Sequence, residues 1–195
     1  MSSGKGFDRA KFEEAFRIMG QYLLDRHVLG EIAIYGGSAI MFQFDWRQTS
    51  EDIDARIISD GHHGLIMRAA EEAAQRLALP RSWLNETVTM YTRRGEDVSD
   101  QVFVGVYPSP ERVGLRVVAA KPSYLLAMKL SALERATADE RDFRDAVNLS
   151  IACGVTTADG LRDVFRQFFP DQNLPDASEK RLNDLARAIH SRAAS

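Results

Sequence analysis

The segment "EIAIYGGSAIMFQFDWRQTSEDIDARI", Glu31 to Ile57, narrows the folds open to this chain more than any other. "EIAIY" is short and apolar and stops at Gly36-Gly37, so it reads as a buried strand running into a tight turn. Residues 38–44 then read as a short helix with Ser38 at its start, and "SEDIDARII" alternates well enough for a second strand. Side chains alternate along a strand, so Asp52 and Asp54 are expected on one face and Ile53 on the other. Two like charges in that arrangement repel unless a cation lies between them or one carboxylate keeps its proton. Carboxylate oxygens are the preferred ligands of magnesium, which takes one or two of them and completes its shell with water and substrate phosphates. A divalent ion, Mg2+ or Mn2+, is therefore expected at Asp52 and Asp54. Gly36 and Gly37 present no Cβ to block a ligand, and free amides at a helix start favour phosphate. Turn and acids together predict a triphosphate and its metal.

The rest of the chain predicts an α+β fold. Apolar residues at Phe12, Ala15, Phe16, Met19 and Leu23 have the spacing of an amphipathic helix, with Asp8 as its N-cap. "HGLIMRAAEEAAQRLAL" reads as a helix stopped by Pro80, and "TVTMY", "QVFVGVY" and "LRVVAA" as further strands. From Pro122 four segments in succession read as helices, "PSYLLAMKLSALERA", "ADERDFRDAVNLSIACG", "ADGLRDVFRQFF" and "DASEKRLNDLARAIHS". The expected layout is a mixed sheet flanked by helices over residues 1–121 and a C-terminal helical annex over residues 122–195, packed as one compact unit.

Bulk properties exclude several classes. No apolar run approaches the ~20 residues of a spanning helix, and the polar start lacks the apolar region of a signal peptide, so a cytoplasmic protein with no membrane partner is expected. Cys153, the one cysteine, rules out an internal disulfide and is expected to be a buried, inert thiol. A net charge of −3 argues against a nucleic-acid footprint over the whole surface. Arg93, Arg94, Arg112, Arg116, Lys121, Arg141 and Arg144 form a local basic groove or are solvated charges balanced by neighbours such as Glu96, Asp97 and Asp145. His62 and His63 lie between Gly61 and Gly64 in a predicted loop with no further metal ligands beside them.

"IYGGSA" followed by "DID" resembles the nucleotidyltransferase superfamily related to polymerase beta. More narrowly, "GGSAIMFQFDWRQTSEDIDA" with "LLAMKLSALERATADERDFRDAV" resembles the group that includes the AbiE-type toxins of bacterial toxin-antitoxin systems, over about Ile32 to Ile151. Arg47 and Thr49 correspond to the R-x-T of that group, and "SWLN", Ser82 to Asn85, to a segment of some relatives. The resemblance implies a nucleotidyltransferase-like mixed sheet and magnesium-dependent transfer of a nucleoside monophosphate from a nucleoside triphosphate to a hydroxyl. It implies that Asp52 and Asp54 hold the metal, and that Gly36, Gly37, Ser38, Arg47 and Thr49 contact the nucleotide. Lys129 and Asp142 would act in catalysis, and Asp142 and Asp145 would orient Lys129 or the nucleotide. The implied acceptor is RNA, such as the 3′ end of a transfer RNA, and the implied protein partner is an antitoxin.

Lys129 falls near the middle of the apolar arc of its predicted helix. Either it snorkels past a packed stem or it points into the Asp52–Asp54 cleft as a cation for phosphates. Many enzymes of the superfamily carry a third carboxylate on a later strand as base, and "QVFVGVY" and "LRVVAA" contain no acid. Either Asp142 substitutes, or the protein is a noncatalytic nucleotide- or partner-binding protein with a degenerate fold.

Overall fold

In a computed structural model describing residues 6–59, 61–90, 92, 98–133 and 140–193, the apolar positions of the first helix form its buried face. Strand β1 (Phe7–Asp8) leads into helix α1 (Arg9–Leu24), capped by the Asp8 carboxylate accepting from Lys11 N. Phe12, Ala15, Phe16, Met19 and Leu23 are fully buried. Strand β2 (Gly30–Tyr35) and helix α2 (Gly36–Gln43) follow, then strands β3 (Thr49–Ser50) and β4 (Ile53–Ile57) and helix α3 (His63–Leu77). Strand β5 (Leu84–Asn85), a single turn of tight helix at Thr87–Met90, and the hairpin of β6 (Gln101–Ser109) and β7 (Arg112–Ala120) complete the sheet-bearing part.

The main sheet is mixed, in the order β5-β4-β2-β7-β6. Strand β2 runs parallel to β7 and antiparallel to β4, β4 is parallel to β5, and β6 is antiparallel to β7. That central position explains why β2 is apolar on both sides, since a strand covered on each face has no need to alternate. Helix α1 lies against β6, β7 and α3. Between α1 and α3 sits Trp83, stacked on Phe12 at 6.1 Å and close to Phe16, with its indole N–H donating to the Ala70 carbonyl at 3.0 Å. The neighbouring backbone is pinned by Ile53 N donating to Trp83 O. Strands β1 and β3 pair antiparallel as a separate two-stranded sheet, tying the segment before the two aspartates to the start of the chain.

The chain divides into two compact units, the first running to Ala120 and the second from Lys121 onward. The second unit holds helices α4 (Pro122–Ala132), α5 (Glu140–Ala152), α6 (Ala158–Phe168) and α7 (Asp176–Ala193). Tyr124 stacks on Phe168 with centroids 5.0 Å apart, and Leu126, Leu130, Leu149, Leu161, Leu182, Leu185 and Ile189 are buried. Among the described residues, no helix is long and apolar enough to cross a membrane.

Three expectations need correction. "TVTMY" is not a strand over its described part: Thr87–Met90 coils, with Thr89 N and Thr89 Oγ1 both donating to the Glu86 carbonyl, which replaces ladder hydrogen bonds with local ones. The short helix begins at Gly36 rather than Ser38. Cys153 is only partly buried, with its thiol pKa raised by the burial it has.

Candidate functional site

Strand β2 ends in an abrupt reversal, because Gly36 has φ +59°, a left-handed conformation that costs glycine little and other residues more. Helix α2 starts there with no side-chain cap on Tyr35. Its first amides therefore lack intrahelical acceptors, and the helix end favours negative charge. The space left by the two missing side chains is used by the chain itself. A Cβ built on Gly36 would lie 2.8 Å from Asp54 Oδ2, and one built on Gly37 would lie 2.6 Å from Arg47 Cζ. One glycine is thus covered by a carboxylate and the next by a guanidinium. Any phosphate approaching Gly37 meets Arg47 rather than bare backbone, which corrects the picture of the glycines as an open cradle.

Ser38 is likewise placed differently. It is the third residue of α2, 1% exposed, and its hydroxyl donates to the Tyr35 carbonyl at 3.0 Å. That bond holds the turn together. The part Ser38 can offer a ligand is its backbone amide in the first helical turn, not its hydroxyl.

Asp54 stands in β4, in register with Tyr35 on one side and Asn85 on the other. Asp52 lies in the bend just before the strand instead of within it. It nonetheless reaches the same side, because Asp52 Oδ2 accepts from Asn85 Nδ2 at 3.0 Å, and Asn85 is the cross-strand partner of Asp54. Asn85 is in turn oriented by Thr87 N donating to its Oδ1 at 3.0 Å. Sequence reasoning gave Asn85 no role. The trace it left was the last residue of "SWLN", within the resemblance.

Partial burial, then the charge of Asp54 and then that of Glu51, push the Asp52 carboxyl from 3.8 up to about 6, while Asn85 and Arg47 oppose the rise. The folded protein therefore holds a proton that the unfolded chain releases between these two values. Stability from this group is complete below pH 3.8 and is lost as the pH rises through about 6. Asp52→Asn is accordingly expected to be more stable than the parent near neutral pH. A shift of this size sets a ceiling of ~3 kcal/mol, and solvent screening of a partly exposed group reduces it to roughly 1 kcal/mol. Denaturant unfolding followed by tryptophan emission should show the advantage at neutral pH and its disappearance at about pH 4. A variant less stable than the parent at neutral pH would refute the raised pKa of Asp52.

Arg47 is positioned by its own loop: its Nε donates to the Thr49 carbonyl at 3.2 Å, and Thr49 pairs with Asp8 across β3 and β1. Thr49 acts here through its backbone, and its side chain is exposed. R-x-T thus brings a cation onto the glycine turn.

In the second unit, Lys129 of α4 and Asp142 and Asp145 of α5 form one cluster. The Lys129 ammonium bonds Asp142 Oδ1 and lies 3.1 Å from Asp145 Oδ2. Its side chain is 12% exposed and that of Asp145 6%, so the lysine does not snorkel into solvent. The ammonium is shared by two carboxylates, which differs from the fixed cation expected for phosphates. Among the basic-groove candidates, Arg116 is engaged by Glu31 at 3.1 Å, and Arg93 and Arg94, with Glu96 and Asp97, fall outside the described residues. His63 contacts Glu86 Oε2 at 2.6 Å.

Among the described residues, no group of three or more His, Cys, Asp and Glu side chains gathers as a metal site. Magnesium does not require one, since one or two carboxylates with water and phosphates complete its shell. Asp52 and Asp54 supply hard oxygen donors whose mutual repulsion raises the Asp52 pKa against the opposing effects of Asn85 and Arg47, and so fit such an ion. Strands β6 and β7 carry no acid. On β7, Ala119 stands opposite Ile34, so the end of β7 beside the turn carries the alanines Ala119 and Ala120. Comparisons of the chain with protein-family models, curated proteins and solved structures return no match.

Proposed function

We propose that the chain is a magnesium-dependent nucleotidyltransferase that moves a nucleoside monophosphate from a nucleoside triphosphate to a hydroxyl. The observation carrying this reading is the meeting of Asp54 with Gly36, Arg47 with Gly37, and Asp52 with Asp54 through Asn85, at the uncapped start of one helix. Such a place joins acceptors for a hard cation to donors for phosphate oxygens. In the reaction, the acceptor oxygen bonds to the α-phosphorus, the bond from that phosphorus to the bridging oxygen breaks, and pyrophosphate leaves with the electron pair. Magnesium bound to Asp52 and Asp54 would offset phosphate charge and polarise the phosphoryl group.

Arg47 then serves as a charged donor to the phosphates, stronger than a neutral one, and the first amides of α2 add to it. Asn85 holds the Asp52 carboxylate toward Asp54. The proton of the acceptor hydroxyl passes to solvent water. The resemblance of the glycine and aspartate motifs to AbiE-type toxins extends the proposal to an RNA 3′ hydroxyl as acceptor and an antitoxin as protein partner.

The test is incubation of the purified chain with each labelled nucleoside triphosphate and total RNA, in magnesium and in manganese. Labelled RNA with matching pyrophosphate is expected. No label with any of the nucleotides under either metal would overturn the reading. A second reading, a nucleotide-binding protein without turnover, is favoured by the alanines at the end of β7. Calorimetry separates the two: magnesium-dependent nucleotide binding with no pyrophosphate released supports the second.

A further inference from the structure

The loop joining α2 to β3 carries an aromatic pair that the phosphate and metal chemistry leaves unused. Phe44 and Trp46 stack with centroids 4.0 Å apart and an interplanar angle of 18°. Phe44 N donates to the Ile40 carbonyl at 2.9 Å, tying one end of the loop to α2, while β3 holds the other end against β1. Trp46 is 38% exposed. The next residue is Arg47, whose guanidinium covers Gly37. An indole supported on one face and set one residue from the cation over the phosphate turn has the makings of a stacking platform, because every nucleobase presents a π-face to such a ring.

We propose that Trp46 stacks on the base of the nucleotide whose phosphates Arg47 and the α2 turn receive. The inference rests on the nucleotidyltransferase reading and adds to it the residue that contacts the base. It assigns Trp46 to positioning and affinity rather than to bond making. A stacking contact tolerates all bases, so the platform accounts for binding nucleoside triphosphates as a class without fixing which base is chosen.

The chain contains two tryptophans, and the other, Trp83, is 1% exposed and bonded to Ala70. Quenching of tryptophan emission by an added nucleotide therefore reports on Trp46. Titration of the full chain with ATP in magnesium should quench, and inorganic tripolyphosphate should bind in competition without quenching. Trp46→Ala should abolish the quench and raise the calorimetric Kd for ATP roughly tenfold, as loss of one base stack does. Trp46→Phe should recover most of that affinity, which a variant acting only through misfolding would not do. An unchanged Kd in Trp46→Ala, or equal quenching by tripolyphosphate, overturns the role of Trp46 and leaves the nucleotide site standing. No binding of ATP to the parent chain overturns both.

Discussion

Asp54→Ala is expected to lower nucleotidyl transfer by about a thousandfold or more, the scale seen when one preorganised electrostatic partner of a reacting group is removed. Asp54 belongs to two of the three contacts of the constellation, the exception being that of Arg47 with Gly37. It sits in β4 between Tyr35 and Asn85, its carboxylate meets the Gly36 turn, and its charge raises the Asp52 pKa. The substitution leaves the backbone pairing of β4 in place and removes a like charge from beside Asp52, so the fold should persist. Pyrophosphate release, measured with the nucleotide that labels RNA best, provides the readout, and thermal unfolding serves as the control. Transfer within tenfold of the parent by a folded Asp54→Ala protein would remove Asp54 from the machinery.

Lys129→Ala is expected to destabilise the helical unit by about 3–5 kcal/mol, the cost of breaking one side of a buried ion pair. Asp145 is 4% exposed as a residue, and Lys129 brings its ammonium to 3.1 Å from it while also bonding Asp142. Loss of the ammonium leaves buried carboxylate charge without that cation, and α4 and α5 lose the bond joining them. Asp142 is 31% exposed on its side chain, so Asp142→Asn should cost under about 1 kcal/mol, as for partly solvated pairs. Adding Asp145→Asn to Lys129→Ala should restore part of the loss, and with Asp145→Asn measured alone the departure from additivity gives the coupling. Denaturant unfolding followed by helical circular dichroism measures each variant. Equal midpoints for Lys129→Ala and the parent would show that this cluster contributes nothing to the unit.

Elements that depend on near neighbours in the chain were legible before any coordinates. The buried face of α1, its Asp8 cap, the apolar strand β2 ending at Gly36, and Pro122 at the start of α4 all follow from local periodicity, capping and steric rules. Thr87–Met90 misled because a β-branched run carries a strand signal, while the choice to coil lies with a Glu86 carbonyl that takes the donors. Placing Asp52 in the strand was wrong by one residue, since β4 starts at Ile53, yet its proximity to Asp54 survived because Asn85 on another strand restores it.

By itself the sequence determined the α+β class, the order of helices and strands over most of the chain, and the presence of a glycine turn and paired acids close together in it. Tertiary structure alone decided that Arg47 lies on Gly37, that Asn85 holds Asp52, that alanines end β7 beside the turn, and that Lys129 is shared by two aspartates. The first group rests on interactions across a few bonds or one helical turn, which residue type and spacing encode directly. The second depends on contacts between residues distant in sequence, whose energies exist only after the sheet order β5-β4-β2-β7-β6 and the packing of α4 against α5 have brought them together.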